Sequence, residues 1–269
     1  MSIDLEDWFC VYVLSQSIGR QHWDSCELRV EASTRKILHL LDQHNTRATF
    51  FVLGYVADKL PQLVRDIDAA GHEIATHGYN HQLITKLTPE EFDRDIADGL
   101  AAIKRCGIKQ DIIGFRAPSF TIVDKTRWAL DVLAKHGIRY DSSVFPIGFH
   151  PDYGIPDAPL GPYKITDALQ EFPMSCAELF GRRLPCSGGA YFRFFPYAYT
   201  RYCIRRCNRQ GRPVVFYLHP WEVDPGQPRV PLPLSRKLRQ YRNLHKTEKR
   251  LNKLLGDFDF TTIRKVLAL

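Results

Sequence analysis

Strand-like and helix-like stretches alternate through most of this 269-residue chain, and they predict an α/β fold with a mostly parallel sheet and helices outside. Two further observations agree. Short apolar runs such as residues 48–53 and 213–218 stop abruptly, as buried strands do. The polar residues with the most chemical potential fall at the C-terminal ends of such runs, the rim where barrels of this class build sites. The length suits one domain around one core.

In chain order, residues 3–5 read as a short strand entering a carboxylate-rich turn. Residues 31–44 read as a helix with Ile37, Leu38, Leu40 and Leu41 on its apolar side. Strand 48–53 stops at Gly54, and Pro61 opens a helix that ends at Gly71. Strand 72–76 follows. Thr88 and Glu91 form a capping box, with Pro89 at the first helical position, for a helix reaching about Gly107. Residues 112–115 are a strand ending at Arg116, residues 126–136 a helix, and residues 140–144 a strand. Regularity is lost over 145–169, a proline- and glycine-rich insertion expected on the substrate side. A strand at 171–173, a flexible turn at 187–191 and a helix at about 196–209 lead to strand 213–218, which delivers His219. A basic helix, a strand at 258–260 and a last helix close the chain.

Composition is that of a globular protein, 44% hydrophobic and 25% charged. No run of about 18 apolar residues exists, so no membrane span is expected. Residues 1–7 are acidic and do not read as a secretory signal. The expected compartment is the cytoplasm, with a membrane-peripheral position left open. The seven cysteines are odd in number and lack a CxxC, so they are expected to be reduced packing residues. Much of the net charge of +7 lies in residues 236–253. It is read as a solvated helix face, or as an attraction to an anionic membrane or lipid-linked sugar. No recognition motif accompanies it, so nucleic acid is not an expected partner.

The chemistry centres on His77 and His81. Neutral imidazoles are the commonest protein ligands for zinc and similar ions, and a four-residue spacing places both on one side of a helical turn. A third ligand is expected from Asp4, Glu6 or Asp7. In an extended strand Asp4 and Glu6 face the same way. One acid would bind the ion and another act as base, and spacing alone does not decide which. Arg116 can clamp the base carboxylate, and His219 can protonate a leaving amine. Asp141 is expected to support the site or cap a turn. Tyr79, Phe120 and Trp221 are candidates to wall a sugar-sized pocket.

These segments together resemble the NodB-type polysaccharide deacetylases, carbohydrate esterase family 4. The similar stretches are residues 4–7, His77 with His81, Arg116-Ala117-Pro118, residues 140–143 and residues 216–219. They span about residues 2–222. Residues 114–120, 188–193 and 249–262 are similar to the exosortase-associated branch of bacterial exopolysaccharide clusters. The resemblance implies a distorted (β/α)7, TIM-like barrel in a single domain, with residues 223–269 as a helical extension packed on it. It implies hydrolysis of N-acetyl groups from amino sugars of a bacterial exopolysaccharide or its lipid-linked precursor. The implied cofactor is a divalent metal, zinc first, with cobalt, iron or nickel as alternatives. In these terms Asp4 is the base, Arg116 orients it and His219 is the acid. Glu6 and Asp7 both remain ligand candidates beside His77 and His81, while Tyr79, Phe120, Asp141 and Trp221 would face the carbohydrate. The alternatives are hydrolysis of a cyclic amide or a formamido sugar, and a carbohydrate-binding homologue with a decayed site. A homo-oligomer is left open.

Overall fold

A computed structural model describes residues 1–148, 150 and 153–269. Its sheet starts from strands with no exposed face. β1 (Ser2–Leu5), β2 (Thr49–Val52) and β3 (Glu73–Thr76) are buried at every position, as parallel strands covered on both sides must be. α1 (Val30–Gln43) links the first two, and α2 (Gly54–Lys59) with α3 (Pro61–Ala69) links the next. The alternation continues through α4 (Pro89–Arg105), β4 (Gly114–Phe115), α5 (Ala129–Lys135) and β5 (Tyr140–Asp141). Two short strands, β6 (Tyr163–Lys164) and β7 (Gln170–Glu171), precede a hairpin of β8 (Cys176–Leu179) and β9 (Arg182–Pro185). Next come α6 (Gly189–Phe194), α7 (Tyr197–Arg209), β10 (Tyr217–Leu218), α8 (Leu234–Tyr241), α9 (Leu244–Asp257) and α10 (Ile263–Leu267).

The strand order is β10-β1-β2-β3-β4-β5-β7-β6. Every pairing is parallel except β6 with β7. The sheet curls into a half-barrel, and the chain is a single α/β domain. Register sorts the side chains by a period of two. Asp4 lies beside Phe51, and Phe51 beside Ala75. Phe51 and Ala75 join Tyr140 and Tyr217 in the cluster inside the curl. Their neighbours Ile3, Leu5, Phe50, Val52 and Ile74 pack outward under the helices.

Helix ends follow local chemistry. The Thr88 side chain accepts from Glu91 N, and the Glu91 carboxylate accepts from Thr88 N at 2.9 Å. Pro61 opens α3 and Pro89 opens α4. Several expected elements differ. The strands are shorter than their apolar runs, with only Gly114–Phe115 and Tyr217–Leu218 laddered at two of them. Residues 258–260 carry no strand and lead directly into α10. The expected flexible turn at 187–191 runs into a helical turn, α6. The 145–169 insertion contains β6, and its residues 149, 151 and 152 lie outside the described ones. All seven cysteines are free thiols, six of them buried.

Candidate active site

The site begins where β1 stops. Asp4 points into the curl, and the fully buried Arg116, just past β4, donates Nη1 to Asp4 Oδ1 at 2.6 Å. The other guanidinium donors are satisfied as well. Nη1 also reaches Ser2 Oγ at 2.8 Å, Nε reaches Ser142 O at 2.9 Å, and Nη2 reaches Ser142 Oγ at 3.0 Å. The Phe51 ring lies 4.1 Å beneath. A buried charge pair of this kind holds only when both members are hydrogen-bonded, and Arg116 is fixed from four directions.

Glu6, two residues on, meets the histidines. Its carboxylate and the ring nitrogens of His77 and His81 include one donor atom each, all within 4.8 Å of one another. His77 Nδ1 lies 2.7 Å from Arg116 O, so that nitrogen carries the proton and Nε2 keeps its lone pair. Burial holds the His77 pKa down to about 4, which keeps the ring neutral. His81 Nε2 lies 2.7 Å from Glu6 Oε2, yet Glu6 Oε2 and His81 Nδ1 are buried without a hydrogen-bond partner. Buried polar atoms without partners need an explanation. Two imidazoles and a carboxylate converging on one point with spare lone pairs fit a divalent ion with open positions.

The histidines do not sit on a helix, as the spacing had suggested. They lie in a loop after β3, with Gly78 at φ +72° and His81 at φ +54°. The loop is held from below. Gly54 N donates to Gly78 O at 2.8 Å, and the Asp95 carboxylate accepts from Tyr79 N at 2.9 Å and Asn80 N at 3.0 Å. A Cβ on Gly99 would sit 2.9 Å from Gly78 C and O, so α4 crosses the loop at glycine distance.

His219 follows β10 on the opposite wall. Its Nε2 is 3.5 Å from Glu6 Oε1 and 3.8 Å from Asp4 Oδ2. Its Nδ1 contacts Glu222 Oε1 at 2.7 Å, and Glu222 Oε2 accepts from Arg193 Nε at 2.5 Å. Arg193 also donates to the carbonyls of Arg239, Gln240 and Arg242 at 2.8 to 3.1 Å, tying the end of α8 to the site. Burial alone would lower the His219 pKa. The Glu222 hydrogen bond and the nearby Glu6, Glu222 and Asp4 carboxylates outweigh it and raise it to about 9. Burial would raise Glu6, but the His81 and His219 imidazoles hold it down to about 2. Trp221 stacks on His219 with ring centres 5.0 Å apart and donates Nε1 to Glu6 Oε1 at 3.2 Å.

These groups line a cavity of about 90 Å³, with Phe120 and Trp221 on its walls. Phe120 is held at φ +57° beside Ser119 at φ +52°, an uncommon backbone for a bulky residue. Three expected site residues lie elsewhere. Asp7 turns away from the histidines, and its carboxylate accepts from Trp8 N, Arg29 N and Val30 N at 2.8 to 3.0 Å, anchoring the start of α1. Tyr79 donates its hydroxyl to Asp58 and does not line the cavity. Asp141 is buried beneath the site, accepting from Ser143 Oγ, with Glu171 beside it. Sequence reasoning missed Glu222, Arg193 and Asp95. Glu222 had a visible signal, because it stands three residues after His219 with Pro220 between, a helix-start pattern.

Known proteins are similar to this chain over parts of its length. Residues 21–141 match the family model described as polysaccharide deacetylase. Residues 142–268 match one described as a domain of unknown function, DUF3473. A peptidoglycan-N-acetylglucosamine deacetylase of Bacillus cereus is 44% identical over 63 residues, 23% of each chain. A chitooligosaccharide deacetylase of a Bradyrhizobium species is 36% identical over 102 residues, 38% of this chain and 43% of that one. The aligned stretches thus span between 23% and 43% of these relatives' length. A Mycobacterium smegmatis structure, solved as a candidate polysaccharide deacetylase, superposes with a TM-score of 0.64 at 19% identity, covering 100% of this chain and 87% of that one. Residues 21–141 are thus similar to polysaccharide deacetylases.

Proposed function

We propose that this chain removes N-acetyl groups from amino sugars of a bacterial polysaccharide, in the exopolysaccharide branch suggested by residues 114–120 and 188–193. The carrying observation is the convergence of Glu6, His77 and His81 beside the Asp4–Arg116 pair, with His219 across the cavity. A divalent ion held by Glu6, His77 and His81, zinc by preference for two imidazoles and a carboxylate, would polarise the acetyl carbonyl and make water acidic enough to attack at neutral pH. Asp4 accepts the proton of the attacking water. Arg116 keeps Asp4 aimed, because its Nη1 binds one carboxylate oxygen and leaves the other toward the cavity. His219, held in one orientation by Glu222, gives its proton to the nitrogen that leaves. Phe120 and Trp221 face the sugar.

The test is acetate release from N-acetylated oligosaccharides by the purified protein, before and after chelation and after refilling with zinc, cobalt, iron or nickel. Acetate released only in the metal-loaded state supports the reading. Formate release, ring opening of a cyclic amide, or binding without turnover would replace it with one of the alternatives.

A further inference from the structure

Three cavities adjoin on the site face, and Tyr12 lines all three. The central one has Asp4 and Glu6 among its lining residues. On one side, sharing His81, lies a cavity of about 210 Å³ bordered by Arg20, Trp23 and Lys86. On the other, sharing Arg239, lies one of about 200 Å³ bordered also by Arg236.

The charges along this line are uneven. Among the described residues no carboxylate lines either flanking cavity. Of the two in the central cavity, Asp4 is paired with Arg116 and Glu6 lies 2.7 Å from His81. The four flanking cations lack such partners. Arg20 donates to the Asn80 amide oxygen and lies 4.5 Å from the centres of the Trp23 and Tyr55 rings. Lys86 lies 5.2 Å from the Tyr12 ring. Arg236 donates to the Gln16 amide oxygen, and Arg239 meets His150 Nε2 at 3.3 Å. None of the four forms an ion pair with a carboxylate among the described residues, although Asp24, paired with Lys59, lies close enough to Arg20 to feel its charge. Concave cavities lined by one sign of charge focus potential and concentrate ligands of the opposite sign. The central cavity is mixed in sign, with Asp4 and Glu6 beside Arg193, His219 and Arg239, so the one-signed flanks are where an anionic group gains most.

We propose that the substrate is an acidic glycan, with the N-acetylated sugar in the central cavity and carboxylate or phosphate groups on adjoining units facing Arg20 with Lys86 and Arg236 with Arg239. This rests on the N-deacetylase reading. A neutral chain would leave four cations without a function in binding, whereas an acidic chain pairs each end of the groove.

The test compares acetate release from three probes: chitotetraose, a tetrasaccharide alternating N-acetylglucosamine with glucuronate, and UDP-N-acetylglucosamine. At low salt, kcat/KM for at least one acidic probe should exceed that for chitotetraose by about tenfold, a difference of about 1.4 kcal/mol. Raised salt should shrink the ratio. The double variants Arg20→Gln with Lys86→Gln, and Arg236→Gln with Arg239→Gln, should lower it. A leading glucuronate probe places the anion within the glycan, and a leading nucleotide probe places it on a phosphate carrier. Chitotetraose used as well or better, with the ratio unmoved by either double variant, overturns the proposal and leaves the deacetylase reading standing. If no probe releases acetate, the deacetylase reading fails, and calorimetric binding of the same probes decides the charge question. Tighter binding of an acidic probe, lost in the double variants, upholds it, and equal binding of chitotetraose overturns it.

Discussion

In the proposed reaction Asp4, Arg116 and His219 have separate duties, and each can be isolated at the residue scale. An amide nitrogen leaves poorly unless it is protonated, and in the proposed reaction Asp4 serves the attacking water instead. His219→Ala should therefore keep ion uptake yet lose about 10² to 10⁴ in turnover of N-acetyl sugars. An activated aryl ester, whose leaving group needs no proton, should suffer far less. Equal losses on the two substrates would make His219 a structural residue. Asp4 and Arg116 share one 2.6 Å contact, so their effects should not add. In a cycle of Asp4→Asn and Arg116→Met, the double variant should lose much less than the product of the single losses, and strict additivity would show that the two act apart. The residues most legible in the sequence were those at strand ends within short motifs: Asp4, Glu6, His77, His81, Arg116 and His219. Asp7 was not separable from Glu6, because its partners Arg29 and Val30 arrive from 22 and 23 residues away. Arg193 was hidden for the same reason, since its contact with Glu222 joins residues 29 apart, whereas Glu222 stood in plain view three residues after His219.

At the scale of elements, the histidine loop owes its shape to the helix beneath it. α2 and α4 cross where Gly54 and Gly99 leave room for Gly78 and Tyr79. A side chain on Gly99 must displace backbone, which typically costs about 1–3 kcal/mol. Gly99→Val is expected to lower the melting temperature and to weaken ion uptake together, although residue 99 touches no donor atom. Gly107→Ala is the control, because its Cβ meets nothing within 4 Å, and there only the φ of +76° is strained. If Gly99→Val melts early but binds the ion with wild-type affinity, the loop is held by other contacts. The alternation of elements and the α4 capping box could be read from residue spacing. The β8–β9 hairpin could not, because its turn is Phe180-Gly181, both at positive φ, without the asparagine or aspartate that usually marks such turns. Two-residue strands such as β4 and β10 were overestimated, since apolar runs continue into loops that are buried but not laddered.

For the whole molecule, pH dependence of stability offers a check on the packing. Buried His72 accepts a hydrogen bond from Ala48 N at Nδ1, at 3.2 Å, which requires a neutral ring. Burial, then Arg47, lower its pKa from 6.5 to about 4. As pH falls the unfolded chain takes up this proton first. The stability contributed by neutral His72 is thus complete above about pH 6.5 and is lost as pH falls through about 4. Between about pH 7 and pH 5 the loss should approach roughly 2 kcal/mol, at 1.36 kcal/mol per pKa unit. His72→Gln, which can still accept from Ala48 N, should flatten that part of the denaturation profile, and an unchanged slope would assign it to other groups. The sheet order also sets a timetable for synthesis. β1, β2 and β3 are consecutive in both chain and sheet, and with their following loops they carry Glu6, His77 and His81. β10, which closes against β1 and carries His219, emerges last among the strands. At about 5–20 residues per second, the donors leave the ribosome on the order of ten seconds before His219 does. On the proposed reading, a nascent chain carries all three ion donors while it still lacks the group that would protonate a leaving amine, and through that interval β1 has an unpaired edge of the kind that can pair elsewhere.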